Sequence, residues 1–177
     1  MDIPTNACIR TDPRWDKAVR HLGYEPVDIL PENAGSLRTD ADLISESQEK
    51  LARVKIVPDA QLTPRQMATL SLIREINHRN ARVRDIHAAE IPPASDRVRT
   101  AGMYGRHDQN VYISTDQLEA GSQAVSTCIH EMSHHQTGKG DGEERHEEVI
   151  GSMAAAIVDQ VSRGDYDQYL KNPEFVW

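Results

Sequence analysis

Aromatic residues and cysteine are both scarce in this chain. One phenylalanine (Phe175), two tryptophans and five tyrosines leave aromatics at 5% of 177 residues, so the core has to be mostly aliphatic. Two cysteines, Cys8 and Cys128, make no disulfide framework. No run approaches the ~20 apolar residues of a membrane-spanning helix, and no membrane association is expected. The first residues, Met1-Asp2-Ile3-Pro4-Thr5-Asn6, offer neither a basic n-region nor an apolar h-region, so a cytoplasmic protein is expected. Positive charge is also in deficit: 20 Lys+Arg stand against 28 Asp+Glu, a net charge of −8. That balance speaks against a nucleic-acid partner, whose phosphates call for a basic face. No internal repeat or low-complexity tract is present. The 38% of hydrophobic residues suffices for one domain of ordinary size with a small N-terminal addition.

Residues 1–62 read as that addition, a loose segment of helix and loop. Asp12-Pro13 can cap a helix, Trp15, Ala18, Val19 and Leu22 repeat at helical spacing, and Gly23 can close it. Pro26, Pro31 and Gly35 mark a connection over 24–38, followed by a polar helix over about 39–53. Residues 63–177 carry a sharper pattern. Thr63-Pro64-Arg65-Gln66 is a capping box with proline at the first helical position, and Met67, Leu70, Ile73 and Ile76 give one face of a helix over 64–79. Short strands are expected at Val83–His87, Arg97–Thr100 and Asn110–Ser114, with Gly102 and Gly105 in a turn. Asp116 with Glu119 should start a helix that Gly121 interrupts. A helix over about 122–136 should end at Gly138, a left-handed cap. A last helix over about 143–162 carries the apolar face Val149, Ile150, Met153, Ala156, Ile157 and Val161. These elements make an α+β fold with helices packed on a small sheet.

The segment that carries chemistry is His130-Glu131-Met132-Ser133-His134. Histidines at i and i+4 share one helix face and can direct nitrogens at one cation. The glutamate between them lies near the metal without being forced to bind it. It can therefore serve as general base toward a water made acidic by Zn2+. A well-capped helix that follows a strand and ends in glycine is the context such a motif requires. The competing explanation is a histidine pair on a solvated helix face.

Residues from about 97 to 160 resemble the zincin superfamily of metallopeptidases: a strand, an HExxH helix, a glycine turn and a further acidic ligand. More narrowly, His130 to Asp141 is similar to small bacterial metallopeptidase-like proteins with an HExxHHxTGxxD signature. The turn also resembles that of metzincins, with one more residue before the glycine and Asp in place of His. The resemblance implies a zincin-like fold, one Zn2+ and hydrolysis of peptide bonds. It implies metal ligands His130 and His134, with Glu131 as the catalytic base. A catalytic zinc takes three protein ligands and keeps one position open. For the third ligand the first candidate is Asp141, which the glycine turn can fold back. Glu147 is the second, placed as the glutamate of gluzincins is, and His146 is the third.

Other residues carry weaker expectations. His135 points about 100° away from His134 on an ideal helix and is expected to pack or to support the site. Cys128 is expected in the core. Cys8 could reach a thiolate onto the zinc and block it, although a free cysteine near a mobile terminus is far commoner. Tyr104, Tyr112, Tyr166 and Arg106 are candidates to polarise a substrate carbonyl, although sheet or surface roles suit each. The strand around Val111–Ile113 is expected to offer an edge to an extended peptide or protein substrate. Peptide deformylases share the size and an HExxH, but their upstream cysteine motif is absent here. Zinc-dependent rRNA-maturation nucleases would place a third histidine where Gly140 stands. The non-enzymatic alternative is a metal-binding or degenerate-zincin interaction module with a regulatory protein partner. Glu131 counts against it, since a purely structural site does not need that residue.

Overall fold

The computed structural model describes residues 5–28, 37–93, 99–138 and 144–177. Among the described residues, six α-helices and six strands, β1 to β6, make up an α+β fold in which two hydrophobic clusters form.

The first cluster belongs to the N-terminal residues. Strands β1 (Ala7–Ile9) and β2 (Glu25–Val27) pair in parallel, with Cys8 opposite Pro26. The expected connection over 24–38 therefore contains a strand. Its proline reads as a loop signal, yet proline is tolerated on a strand that has a neighbour on one side only. Asp12 caps a 3₁₀ turn at Pro13–Trp15 by accepting from Arg14 N, and helix α1 (Asp16–His21) continues from it. Gly23, with φ of 85°, turns the chain into β2. Helix α2 (Asp40–Ala52) begins where Thr39 and Asp42 exchange hydrogen bonds across its first turn. Cys8, Val19 and Leu43 are buried together, with Leu22, Tyr24 and Ile44 around them. Cys8 thus sits in a packed core rather than on a mobile arm.

The larger cluster surrounds a four-stranded mixed sheet in the order β3 (Lys55–Ile56), β4 (Asp85–Glu90), β6 (Asn110–Ser114), β5 (Gly102–Gly105). β4 and β6 run parallel, and the two outer strands are antiparallel to their neighbours. Helix α3 (Pro64–Asn80) opens with the expected capping box: Gln66 N donates to Thr63 Oγ1, and Thr63 N donates to Gln66 Oε1. Its buried Leu70, Leu72, Ile73 and Ile76 cover Ile86 and Ala88 of β4 and Val111 and Ile113 of β6. Each such fully buried aliphatic side chain contributes roughly 1.5–3 kcal/mol of transfer free energy.

Three strand expectations change. Val83 is not in the ladder because buried Asn77 claims it, accepting from Val83 N at 2.8 Å and donating to Val83 O at 3.1 Å. The strand starts two residues later. Of the run Arg97–Thr100, Arg97 and Val98 lie outside the described residues, and Arg99 and Thr100 are not in a strand. The strand is instead Gly102–Gly105, where a turn was expected. Asn110–Ser114 is a strand as read, but it lies between β4 and β5 and offers no edge. Among the described residues the edges belong to β3 and β5.

Gln117–Glu119 forms only a 3₁₀ turn, and Gly121 opens helix α4 (Gly121–Thr137) rather than interrupting one. Phe175 explains the glycine. A Cβ at position 121 would come within 2.6 Å of Phe175 Cε2 and 3.0 Å of Val176 O, and Gly121 N donates to that same carbonyl at 2.7 Å. Gly138, at φ 65°, ends α4 in the left-handed conformation. Helix α5 (Glu144–Ser162) packs on α4 through Met153 and Ile157, and α6 (Asp167–Leu170) brings up buried Tyr166 beside it. Among the described residues, no helix is long and apolar enough to cross a membrane.

Candidate metal centre

Helix α4 turns two different faces to its neighbours. Cys128, Ile129 and Met132 point into the core. His130 and His134, one turn apart, lie toward α5, and there they meet His146. The three rings pack closely, with centroids 5.0 Å apart for His130–His134, 5.0 Å for His130–His146 and 4.3 Å for His134–His146. One ring nitrogen from each lies within 4.8 Å of the others. This is the only such group of histidine, cysteine and acidic side chains among the described residues.

His146 reaches this place because of its register on α5. On a helix of 100° per residue, His146, Met153 and Ile157 fall within about 20° of one direction, so the imidazole extends the stripe that packs on α4. It is 0% exposed. Glu147, 100° further round, has a side chain 64% exposed, and its Oε1 stands 4.0 Å from His146 Nδ1. It does not join the group. Asp141 lies outside the described residues. The sequence ranked His146 last of the three, although its place at the head of an apolar stripe was visible there.

The donor set fits a metal ion. His146 Nδ1 is fully buried and has no hydrogen-bond partner among the described residues, an arrangement that costs about 1–3 kcal/mol unless something accepts its lone pair. Three neutral imidazoles are a ligand set that suits zinc and leaves a fourth position open.

Glu131 lies one residue round α4, buried to 9% exposure, on the side facing β5. The strand approaches so closely that a Cβ on Gly102 would lie 3.2 Å from Glu131 Cγ. The same carboxylate, together with burial, raises the Cys128 thiol well above the ordinary range; burial is the larger cause. Cys128 is therefore an inert core thiol.

Tyr104, two residues along β5 from Gly102, places its hydroxyl 2.8 Å from His135 Nδ1. Arg106 donates to the Gly138 carbonyl at 3.2 Å. His135 and Arg106 thus tie α4 to β5 and its turn. Burial raises the Tyr104 hydroxyl above its usual pKa, so it remains a proton donor at neutral pH. Tyr112 and Tyr166 are elsewhere. Tyr112 pairs across the sheet with Met103, stacks on His87 and donates to Asp108. Tyr166 bonds with Asn80 and Gln160. Cys8 is buried against Val19 and Leu43, away from the histidine group.

In comparisons with known proteins, no family model, no curated protein and no solved structure matches this chain.

Proposed function

We propose that the chain is a zinc-dependent metallopeptidase of the zincin kind, hydrolysing peptide bonds with Glu131 as general base. The observation that carries this reading is the convergence of His130, His134 and buried His146 beside a buried glutamate and an edge strand. His130, His134 and His146 would hold the ion, which supplies a Lewis-acid centre at its open position. Glu131 takes the proton from the attacking water and delivers it to the leaving amine. Its burial between α4 and β5 keeps competing solvent away from the carboxylate. The edge of β5 presents backbone groups to which an extended peptide can add as a further strand. A groove of 340 Å³ runs beside this strand, lined by Leu22, Tyr24, Leu43 and Leu51 from the N-terminal residues and by Met103 and Tyr104 of β5. Those N-terminal residues form the far wall against which substrate side chains rest.

The test is metal content of the purified protein joined to hydrolysis of a mixed peptide library, with Glu131→Gln as control. Close to one zinc per chain and cleavage that the variant lacks support the reading. One zinc per chain with no cleavage of any peptide identifies a metal-binding interaction module. A chain that takes up no zinc at micromolar concentration ends the metal reading altogether.

A further inference from the structure

Ser133 is the third residue after His130 in the motif and the one immediately before His134. It is fully buried. Its Oγ makes two contacts: 2.6 Å to the His130 carbonyl and 2.5 Å to His146 Nε2. A hydroxyl has one proton to give, and a carbonyl oxygen can only accept. The serine proton therefore goes to the His130 carbonyl. Toward His146 the serine can then only accept, which puts the imidazole proton on Nε2. Nδ1 is left with its lone pair, and that is the buried ring atom without a hydrogen-bond partner among the described residues.

From this chain of contacts we infer that Ser133 is a positioning residue for the metal: it fixes the tautomer and ring orientation of His146 so that this histidine ligates through Nδ1. The inference rests on the metal reading proposed above and goes beyond it by assigning the ligating atom and the group that selects it. Metal-bound histidines generally hold their second nitrogen in such a hydrogen bond. Here the acceptor comes from inside the five-residue motif and is itself anchored on the carbonyl of another ligand. α4 thus supplies two ligands and the orientation of the third. An apolar side chain at 133 would leave His146 free to turn and to present either nitrogen.

The tautomer is read directly by long-range ¹H–¹⁵N correlation on the zinc-loaded protein with ¹⁵N-labelled histidine. The expected pattern for His146 is a protonated Nε2 and a metal-bound Nδ1. Ser133→Ala should keep the wild-type circular dichroism spectrum, weaken zinc binding by about 10–100-fold and lose the single-tautomer pattern. Ser133→Thr, which keeps the hydroxyl, should restore both. If the threonine variant does not fold, the wild-type spectrum still decides. Zinc bound to His146 through Nε2, or a Ser133→Ala protein with wild-type affinity and pattern, overturns this inference while leaving the metallopeptidase reading intact. A wild-type protein whose histidine spectrum does not respond to zinc overturns both.

Discussion

Gly102 of β5 and Glu131 of α4 are neighbours only because position 102 has no side chain. A Cβ there would lie 3.2 Å from Glu131 Cγ, 3.2 Å from the Tyr112 carbonyl and 2.5 Å from Thr127 Cγ2. The edge strand can approach the helix that carries the proposed base only through this glycine. Gly102→Ala should push the strand and the glutamate apart. Peptide hydrolysis should fall at least tenfold, since small misplacements of a catalytic group cost on that order, while zinc content stays at the wild-type level. Wild-type kinetics in this variant would show that the contact has no bearing on the reaction.

The three candidates for the third ligand separate by substitution. His146→Ala should lose zinc affinity to the same degree as His130→Ala and His134→Ala. Glu147→Ala, with its exposed side chain, should bind zinc like the wild type, and so should Asp141→Ala. Isothermal titration with zinc, after each variant is checked for folding, gives the comparison. Loss confined to Asp141→Ala would reject the three-histidine site.

Glu131→Gln should retain the metal and abolish hydrolysis, because the amide cannot accept the proton from water. The measurement is zinc by atomic emission beside peptide cleavage on one preparation. A variant as metal-poor as His134→Ala would make Glu131 a ligand.

Acid should loosen the N-terminal residues through Asp40. Burial alone would raise this carboxyl. Hydrogen bonds from the Thr11 hydroxyl, Thr11 N, Asp12 N and Ala41 N outweigh it and hold the pKa below the ordinary aspartate value. A carboxylate with a depressed folded-state pKa stabilises fully above its unfolded value of ~3.9 and loses that contribution as pH falls through the folded value. Denaturant unfolding followed by Trp15 fluorescence in a Trp177→Phe background should therefore show stability declining below about pH 4. Asp40→Asn should flatten the decline and cost about 2 kcal/mol at pH 7.

What could be read from the sequence, and what could not, follows from how local each signal is. The capping box at Thr63–Gln66, the cap at Gly138 and the strand Asn110–Ser114 depend on neighbouring residues, and all three stand as read. β2 and β5 were missed because proline and glycine carry them. Each is allowed by something distant: Cys8 opposite Pro26 in a two-stranded pair, and Thr127 and Glu131 against Gly102. The pair His130 and His134 is local and was legible. That His146 lies beside that pair was not legible, because spacing alone does not say which face of the next helix is buried. Ser133 showed no signal at all, since its role exists only once α5 is packed on α4.

Phe175, the chain's single phenylalanine, lies far along the sequence from the histidines and yet bears on where they stand. It wedges against Gly121, and Val176 accepts the first amide of α4. A helix is a stiff rod rising about 1.5 Å per residue, which sets His130 about 14 Å from that seat. Tilting the rod by a few degrees at its base moves its far residues by roughly an ångström, several times the ~0.2 Å within which the distances of a metal site have to hold. The alignment of the centre is therefore set at a remote bearing, where the chain's last residues clamp the foot of the helix.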